Sequence, residues 1–100
     1  MFIVVFRSTR STDHSDVYRE WSQNMERLVV RQPGYQSHFS FRDNETGKGV
    51  TVSYFESEES IRQWHQHREH AEAQEFGRTH FYEDFSVEVA EIKRKYDWQR

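Results

Sequence analysis

Residues 35–55, YQSHFSFRDNETGKGVTVSYF, predict a β-hairpin, and the rest of the fold is predicted by working outward from it. In the first half of this stretch aromatic residues alternate with polar ones, which is the period of a strand with one aromatic face. The segment Asp43–Gly47 is polar and ends in glycine, as hairpin connections do. The residues from Gly49 to Phe55 then predict the returning strand.

The chain before the hairpin predicts a strand followed by a helix. A run of consecutive apolar residues lies within Phe2–Thr9, which is typical of a strand that is buried on both faces. From Asp16 to about Arg31 apolar residues recur at helical spacing and indicate an amphipathic helix. Pro33 and the glycine after it end this helix, because proline cannot continue the hydrogen-bond ladder.

The chain after the hairpin predicts a second helix and a last strand. Ser57 is a capping residue, and the two acids that follow it suit the positive end of a helix dipole. The helix carries Trp64 and is expected to run to Phe76, with Gly77 as its break. Apolar residues alternate with polar ones again in Phe81–Ile92, which predicts the final strand.

The predicted order β-α-β-β-α-β is that of the ferredoxin-like α+β fold. Right-handed crossovers place both helices on one face of a four-stranded antiparallel sheet, in a single domain of residues 1–100. The other face is not polar, because strand one is apolar on both sides. We therefore expect a second copy to cover that face by two-fold symmetry, as a homodimer. The tail aromatics Tyr96 and Trp98 either pack in this dimer or fray at the terminus.

The composition restricts the classes of function. The 14 basic and 17 acidic residues are mixed along the chain and give a net charge of −3, whereas a nucleic-acid binder needs a basic face. The chain has no cysteine, which excludes disulfides, thiolate metal sites and a cysteine nucleophile. We expect a cytoplasmic protein with no membrane partner, because the sequence has no secretory signal pattern and no stretch long enough to span a bilayer.

Histidines on the second helix raise the question of a metal site. Imidazole is the commonest metal ligand, and His67 and His70 share one helix face. No carboxylate is spaced to complete a closed site with them, so no metal site is predicted. The alternative is a solvated helix with one histidine at the rim of a pocket.

The second helix and the sequence around it also carry a family pattern. Its central feature is Trp64, with histidines three and six residues later. The other matching segments are Ala73-Gln74, Gly77-Arg78, Phe81-Tyr82, Gln32-Pro33-Gly34-Tyr35, Gly49–Tyr54 and Ser57-Glu58-Glu59. In these residues the chain resembles the antibiotic biosynthesis monooxygenase family of dimeric α+β barrel proteins, and within it the branch grouped with haem-degrading monooxygenases.

This resemblance implies cofactor-independent oxygenation of a planar aromatic or polyketide-like substrate, in a pocket between the second helix and the sheet. His67 or His70 would act as the base that removes a phenolic proton and creates an electron-rich anion. Trp64 would orient the flat ligand by stacking. The residues expected to bind the substrate are Gln74, Arg78, Tyr82, Arg7 and His38.

Two alternatives stay open at this point. The first is a haem-binding or haem-degrading protein, for which the resemblance implies an asparagine on the first strand and an axial histidine ten residues after the tryptophan. Arg7 and Gln74 stand at those positions, so we expect no cofactor, with haem as the alternative. The second is a dimeric ligand-binding module that has the same pocket and no catalytic activity.

Overall fold

The elements follow the predicted order. The computed structural model of the chain describes residues 1–11, 15–74 and 81–100, without the side chains of residues 15–17 and 70–74. The elements are β1 (Phe2–Arg10), α1 (Ser15–Val29), β2 (Tyr35–Arg42), β3 (Lys48–Phe55), α2 (Glu58–Gln74) and β4 (Tyr82–Glu91). All of the predicted helices and strands are confirmed, and the ends that can be compared differ by one or two residues, whereas the predicted end of the second helix at Phe76 lies outside the described residues. The predicted helix break at Gly77 lies outside the described residues.

The four strands form one antiparallel sheet in the order β2-β3-β1-β4, as the ferredoxin-like fold requires. Since successive side chains of a strand point to opposite faces, Val4, Phe6 and Ser8 of β1 face the helices. Val5 and Arg7 point to the other side, which we call the outer face of the sheet. Both helices therefore lie on one face, and the prediction of this layering is confirmed.

The core lies between the helices and the sheet in two groups of side chains. One group joins Trp21 and Met25 of α1 to Phe81, which is fully buried. The other contains Val29, Phe55 and Ile61. Trp64 packs against both groups, and together with Ile61 it holds α2 against the core.

The hairpin between β2 and β3 is stabilised by its own side chains. Asp43 accepts hydrogen bonds from the Glu45 backbone N–H and from the Thr46 hydroxyl, each at 3.0 Å. These bonds stabilise the ionised carboxylate and lower the pKa of Asp43 below its usual value. Gly47 closes the turn with φ of 77°, a left-handed conformation that favours glycine.

The outer face of the sheet is apolar and open in the single chain. Phe39 is 47% exposed and Phe41 is 72% exposed, although both are large hydrophobic residues within β2. The tail after β4 has no regular structure, and its Tyr96 and Trp98 are also exposed. Among the described residues, no helix is long and apolar enough to cross a membrane.

Candidate active site

A cavity of about 120 Å³ lies between the sheet and both helices. Its walls are mainly apolar and aromatic, and its polar residues come largely from β2 and β3. The apolar wall is formed by Val4, Phe6, Trp21, Met25, Val29, Phe55 and Trp64. Apolar walls with a few polar groups are typical of small-molecule sites. Helix α1 contributes more wall residues than α2, whereas the sequence emphasised α2 alone.

At one end of the cavity His38 is paired with Tyr35. The Tyr35 hydroxyl lies 2.7 Å from His38 Nδ1, within hydrogen-bond distance. A register shift in β2 between Tyr35 and Ser37 lets the two side chains meet. Burial and the negative charge of Glu26 raise the pKa of Tyr35, so its hydroxyl stays neutral near neutral pH. The pair therefore holds the imidazole in one orientation.

At the other end of the cavity Arg42 is joined to a pair of tyrosines. Arg42 Nη2 donates to the Ser8 hydroxyl at 2.9 Å and to the Tyr18 hydroxyl at 3.3 Å. The ring of Tyr18 packs edge to face against the ring of Tyr82, with centroids 5.9 Å apart. Burial raises the pKa of Tyr82 strongly, and the proximity of Tyr18 raises it further. Tyr82 is thus a neutral hydroxyl and not a phenolate at any ordinary pH.

Trp64 separates this cavity from a second hollow between α2 and β4. The second hollow, of about 300 Å³, shares Val4, Phe6, Trp64 and Arg68 with the first and is bounded by Val87 and Val89 of β4. The Arg68 guanidinium lies 4.3 Å from the centroid of the Phe6 ring. These shared residues form the partition between the two spaces.

The structure brings together some of the residues predicted for the site. Trp64, Tyr82 and His38 all line the cavity of about 120 Å³. His67 is exposed and stacks on Trp64 with ring centroids 5.9 Å apart, but it is not among the residues that line the cavity of about 120 Å³. Arg7 lies on the outer face of the sheet, where it forms an exposed ion pair with Glu88. The side chains of His70 and Gln74, and all of Arg78, lie outside what the structure describes.

Sequence reasoning did not select Tyr18, Tyr35 or Arg42. A signal for Arg42 was present, since His38, Ser40 and Arg42 alternate along one face of β2, opposite the phenylalanines. Tyr18 belongs to the buried stripe of α1 and carried no signal of its own. Tyr35 pairs with His38 through the register shift, which the sequence does not reveal.

Metal ligation finds no support among the residues whose placement is described. Within them no group of three or more histidine, aspartate and glutamate side chains is arranged to hold a metal ion.

Comparison with known proteins gives the family. The profile of the antibiotic biosynthesis monooxygenase family matches residues 1–75 of the chain. An uncharacterised protein of Bacillus subtilis, YqjZ, is 37% identical over 94 residues, which cover 94% of this chain and 81% of that protein. The chain belongs to the antibiotic biosynthesis monooxygenase family, and the predicted family resemblance is confirmed.

Solved structures share the fold at low identity. SnoaB, a cofactor-independent oxygenase from Streptomyces nogalater, superposes with a TM-score of 0.68 at 15% identity, covering 94% of both chains. A variant of MhuD with two manganese protoporphyrins bound per active site gives a TM-score of 0.72 at 12% identity, covering 98% of this chain and all of that one. At these identities the likeness establishes the fold, and it includes both a cofactor-independent and a porphyrin-binding protein.

The position that the resemblance implies for an axial ligand of haem is not a histidine in this chain. The position ten residues after Trp64 is Gln74, whose amide is not an axial ligand of the kind that haem proteins use.

Proposed function

We propose that the chain is a monooxygenase that oxidises a small planar aromatic substrate in the cavity between α1, α2 and the sheet. The proposal rests on one observation: His38, which is paired with Tyr35, lies in the wall of a cavity that is lined by aromatic residues. The walls suit a flat ring, and an imidazole is the side chain best suited to proton transfer near neutral pH. Membership of a monooxygenase family supports the reaction class.

The reduction of oxygen in this reaction needs electrons, and the substrate itself supplies them. A base removes a proton from a phenol or enol, and the resulting anion is electron-rich enough to reduce oxygen. One atom of oxygen then becomes a carbonyl oxygen on the ring carbon that carries two hydrogens in the keto tautomer of the phenol. The other atom leaves with those hydrogens as water, so atoms and electrons balance without a further reductant. Apolar walls keep the anion away from bulk solvent.

We assign the base to His38, because it lines the cavity. When the proton of the neutral imidazole is on Nδ1, His38 donates to the Tyr35 oxygen, and Nε2 has a free lone pair to accept the substrate proton. His67, which the sequence favoured, reaches the cavity only through its stacking on Trp64. Trp64 forms the wall on which a substrate ring would stack.

Oxygen uptake with a panel of anthrones tests this function. We expect one or more of these compounds to stimulate uptake by the wild-type protein. The variant His38→Gln is expected to lower kcat by about 100-fold or more, the range of a lost general base. His65→Gln is the matched control, because His65 pairs with Glu69 and lies in the wall of the second hollow, outside the cavity of about 120 Å³.

His67→Gln separates the two base assignments in the same assay. Undiminished uptake by this variant supports His38, whereas a loss equal to that of His38→Gln contradicts our assignment. No uptake with any member of the panel, together with binding of those compounds, would favour a ligand-binding module over an enzyme.

We also propose that the protein functions as a homodimer through the outer face of its sheet. Val5, Phe39 and Phe41 lie on this face, and an exposed apolar surface of this kind marks an interaction site. A two-fold axis would let each copy cover the other with the same residues.

A further inference from the structure

We propose that the ligand of the cavity carries an acidic group, and that this group binds at the end of the cavity formed by Arg42, Tyr18 and Tyr82. The oxidisable phenol would then lie at the opposite end, beside His38. This inference names a substrate class, the hydroxylated aromatic acids, and rests on the proposed function only for the role of His38.

Arg42 keeps its positive charge at the cavity wall. Its hydrogen bonds go to neutral acceptors, which are the Gly47 and Ser8 carbonyls and the hydroxyls of Ser8 and Tyr18. No ion pair between Arg42 and a carboxylate is present within the described residues. A half-buried guanidinium of this kind attracts an anion more strongly than one exposed to water, because the local dielectric constant is lower.

The fold leaves space for this guanidinium. Gly49 stands opposite Arg42 on β3, and a Cβ atom built on it would lie only 2.7 Å from Arg42 Cζ. Any larger residue at position 49 would displace the guanidinium. The glycine therefore allows Arg42 to lie flat across the strands.

The hydroxyl of Tyr18 is a suitable donor to a bound anion. Its oxygen accepts a hydrogen bond from Arg42 Nη2 at 3.3 Å. A hydroxyl that accepts a hydrogen bond still has its own proton to donate. That proton, polarised by Arg42, would stabilise a carboxylate oxygen.

The two ends of the cavity differ in charge. Arg42 and His38 are four residues apart on β2, which separates their Cα atoms by about 13 Å. Glu26 lies near the His38 end, as its effect on the pKa of Tyr35 shows. A ligand with a carboxylate would avoid Glu26 and point its acid toward Arg42, which leaves the far side of its ring at His38.

Fluorescence titration with a matched pair of probes tests the inference. The probes are 6-hydroxy-2-naphthoate and its neutral amide, 6-hydroxy-2-naphthamide, which have the same ring and almost the same shape. We expect the wild-type protein to bind the acid at least ten-fold more tightly, which corresponds to about 1.4 kcal/mol. Arg42→Gln should bring the ratio of the two dissociation constants close to one, and Gly49→Ala should lower it.

The matched control is Arg27→Gln, which removes the same charge from an exposed position on α1 that lies outside the cavity. It should keep the wild-type preference. If Arg42→Gln does not fold, Tyr18→Phe replaces it, and it should also weaken binding of the acid more than binding of the amide. Equal binding of the two probes by the wild-type protein, or a preference that survives Arg42→Gln, overturns the inference. Because the titration needs no turnover, its failure is distinguishable from a failure of oxygen uptake.

Discussion

The side chains at the two ends of the cavity define its chemistry. The imidazole of His38 is held by Tyr35 at one end, and the Tyr18–Tyr82 pair is held by Arg42 at the other. The first arrangement suits proton removal, and the second presents neutral donors. Each pair contains a tyrosine that its surroundings keep protonated, so neither tyrosine competes with His38 as a base.

The raised pKa of Tyr82 leads to a prediction about the stability of the protein at alkaline pH. Its pKa is raised in the folded state, so the stability it contributes is present below the unfolded pKa of about 10 and is lost as pH rises beyond that value. We expect the free energy of unfolding, measured by urea titration, to fall above about pH 10 by up to ~1.4 kcal/mol per pH unit from this group. Tyr82→Phe should reduce that slope.

The control for this experiment is Tyr96→Phe. Tyr96 is 92% exposed in the tail, so its removal should leave the alkaline slope of stability unchanged. A slope in Tyr82→Phe equal to that of the wild-type protein would show that Tyr82 is not the group responsible.

At the scale of elements, the sequence predicted the fold closely because each element has its own local signal. The capping serine of α2, the proline after α1 and the alternation in β2 were all present in the chain itself. The cavity was harder to predict, because its walls come from all six elements and the contacts between its side chains depend on strand register. The Tyr35–His38 contact needs the irregularity in β2, and Tyr18 meets Arg42 only once α1 lies across the sheet.

The N-terminus of α2 provides a test of these local signals. The Ser57 hydroxyl accepts a hydrogen bond from the Ser60 backbone N–H at 3.1 Å, which is the N-cap interaction that the sequence predicted. Ser57→Ala should lower the free energy of unfolding by about 1 kcal/mol in a urea titration. Ser57→Asp, which keeps a capping acceptor, should stay close to the wild-type value. Equal loss in both variants would mean that the cap contributes little.

At the scale of the whole molecule, the two faces of the sheet differ in what they present. The face toward the helices contains the cavity, while the outer face presents apolar residues such as Phe41 to solvent in the single chain. The structure also separates Val4 from Val5, which the sequence could not do for a strand that is apolar on both sides. Val4 lines the cavity and Val5 lies on the outer face.

A variant with a charged residue on the outer face of the sheet tests whether the protein forms the proposed homodimer. Val5→Asp should yield monomers, or insoluble protein, because a carboxylate cannot be buried unpaired in an apolar interface. The measurement is light scattering coupled to gel filtration at low protein concentration. Val4→Asp should instead destabilise the fold, because Val4 faces the helices.

Val30→Asp is the matched control for the dimer. Val30 is 50% exposed just after α1 and lies away from the sheet, so this variant should keep the wild-type mass. A Val5→Asp protein that remains dimeric at low concentration would place the interface elsewhere.

If the proposed function is correct, this chain transfers one atom of molecular oxygen to a substrate held in the cavity. The most direct measurement is mass spectrometry of the product after turnover under isotopically labelled oxygen gas, with the wild-type protein and His38→Gln. We predict a product that gains one labelled oxygen atom with the wild-type protein, and a strongly reduced yield with the variant. A product whose new oxygen comes from unlabelled water, or equal yields from both proteins, would contradict the account.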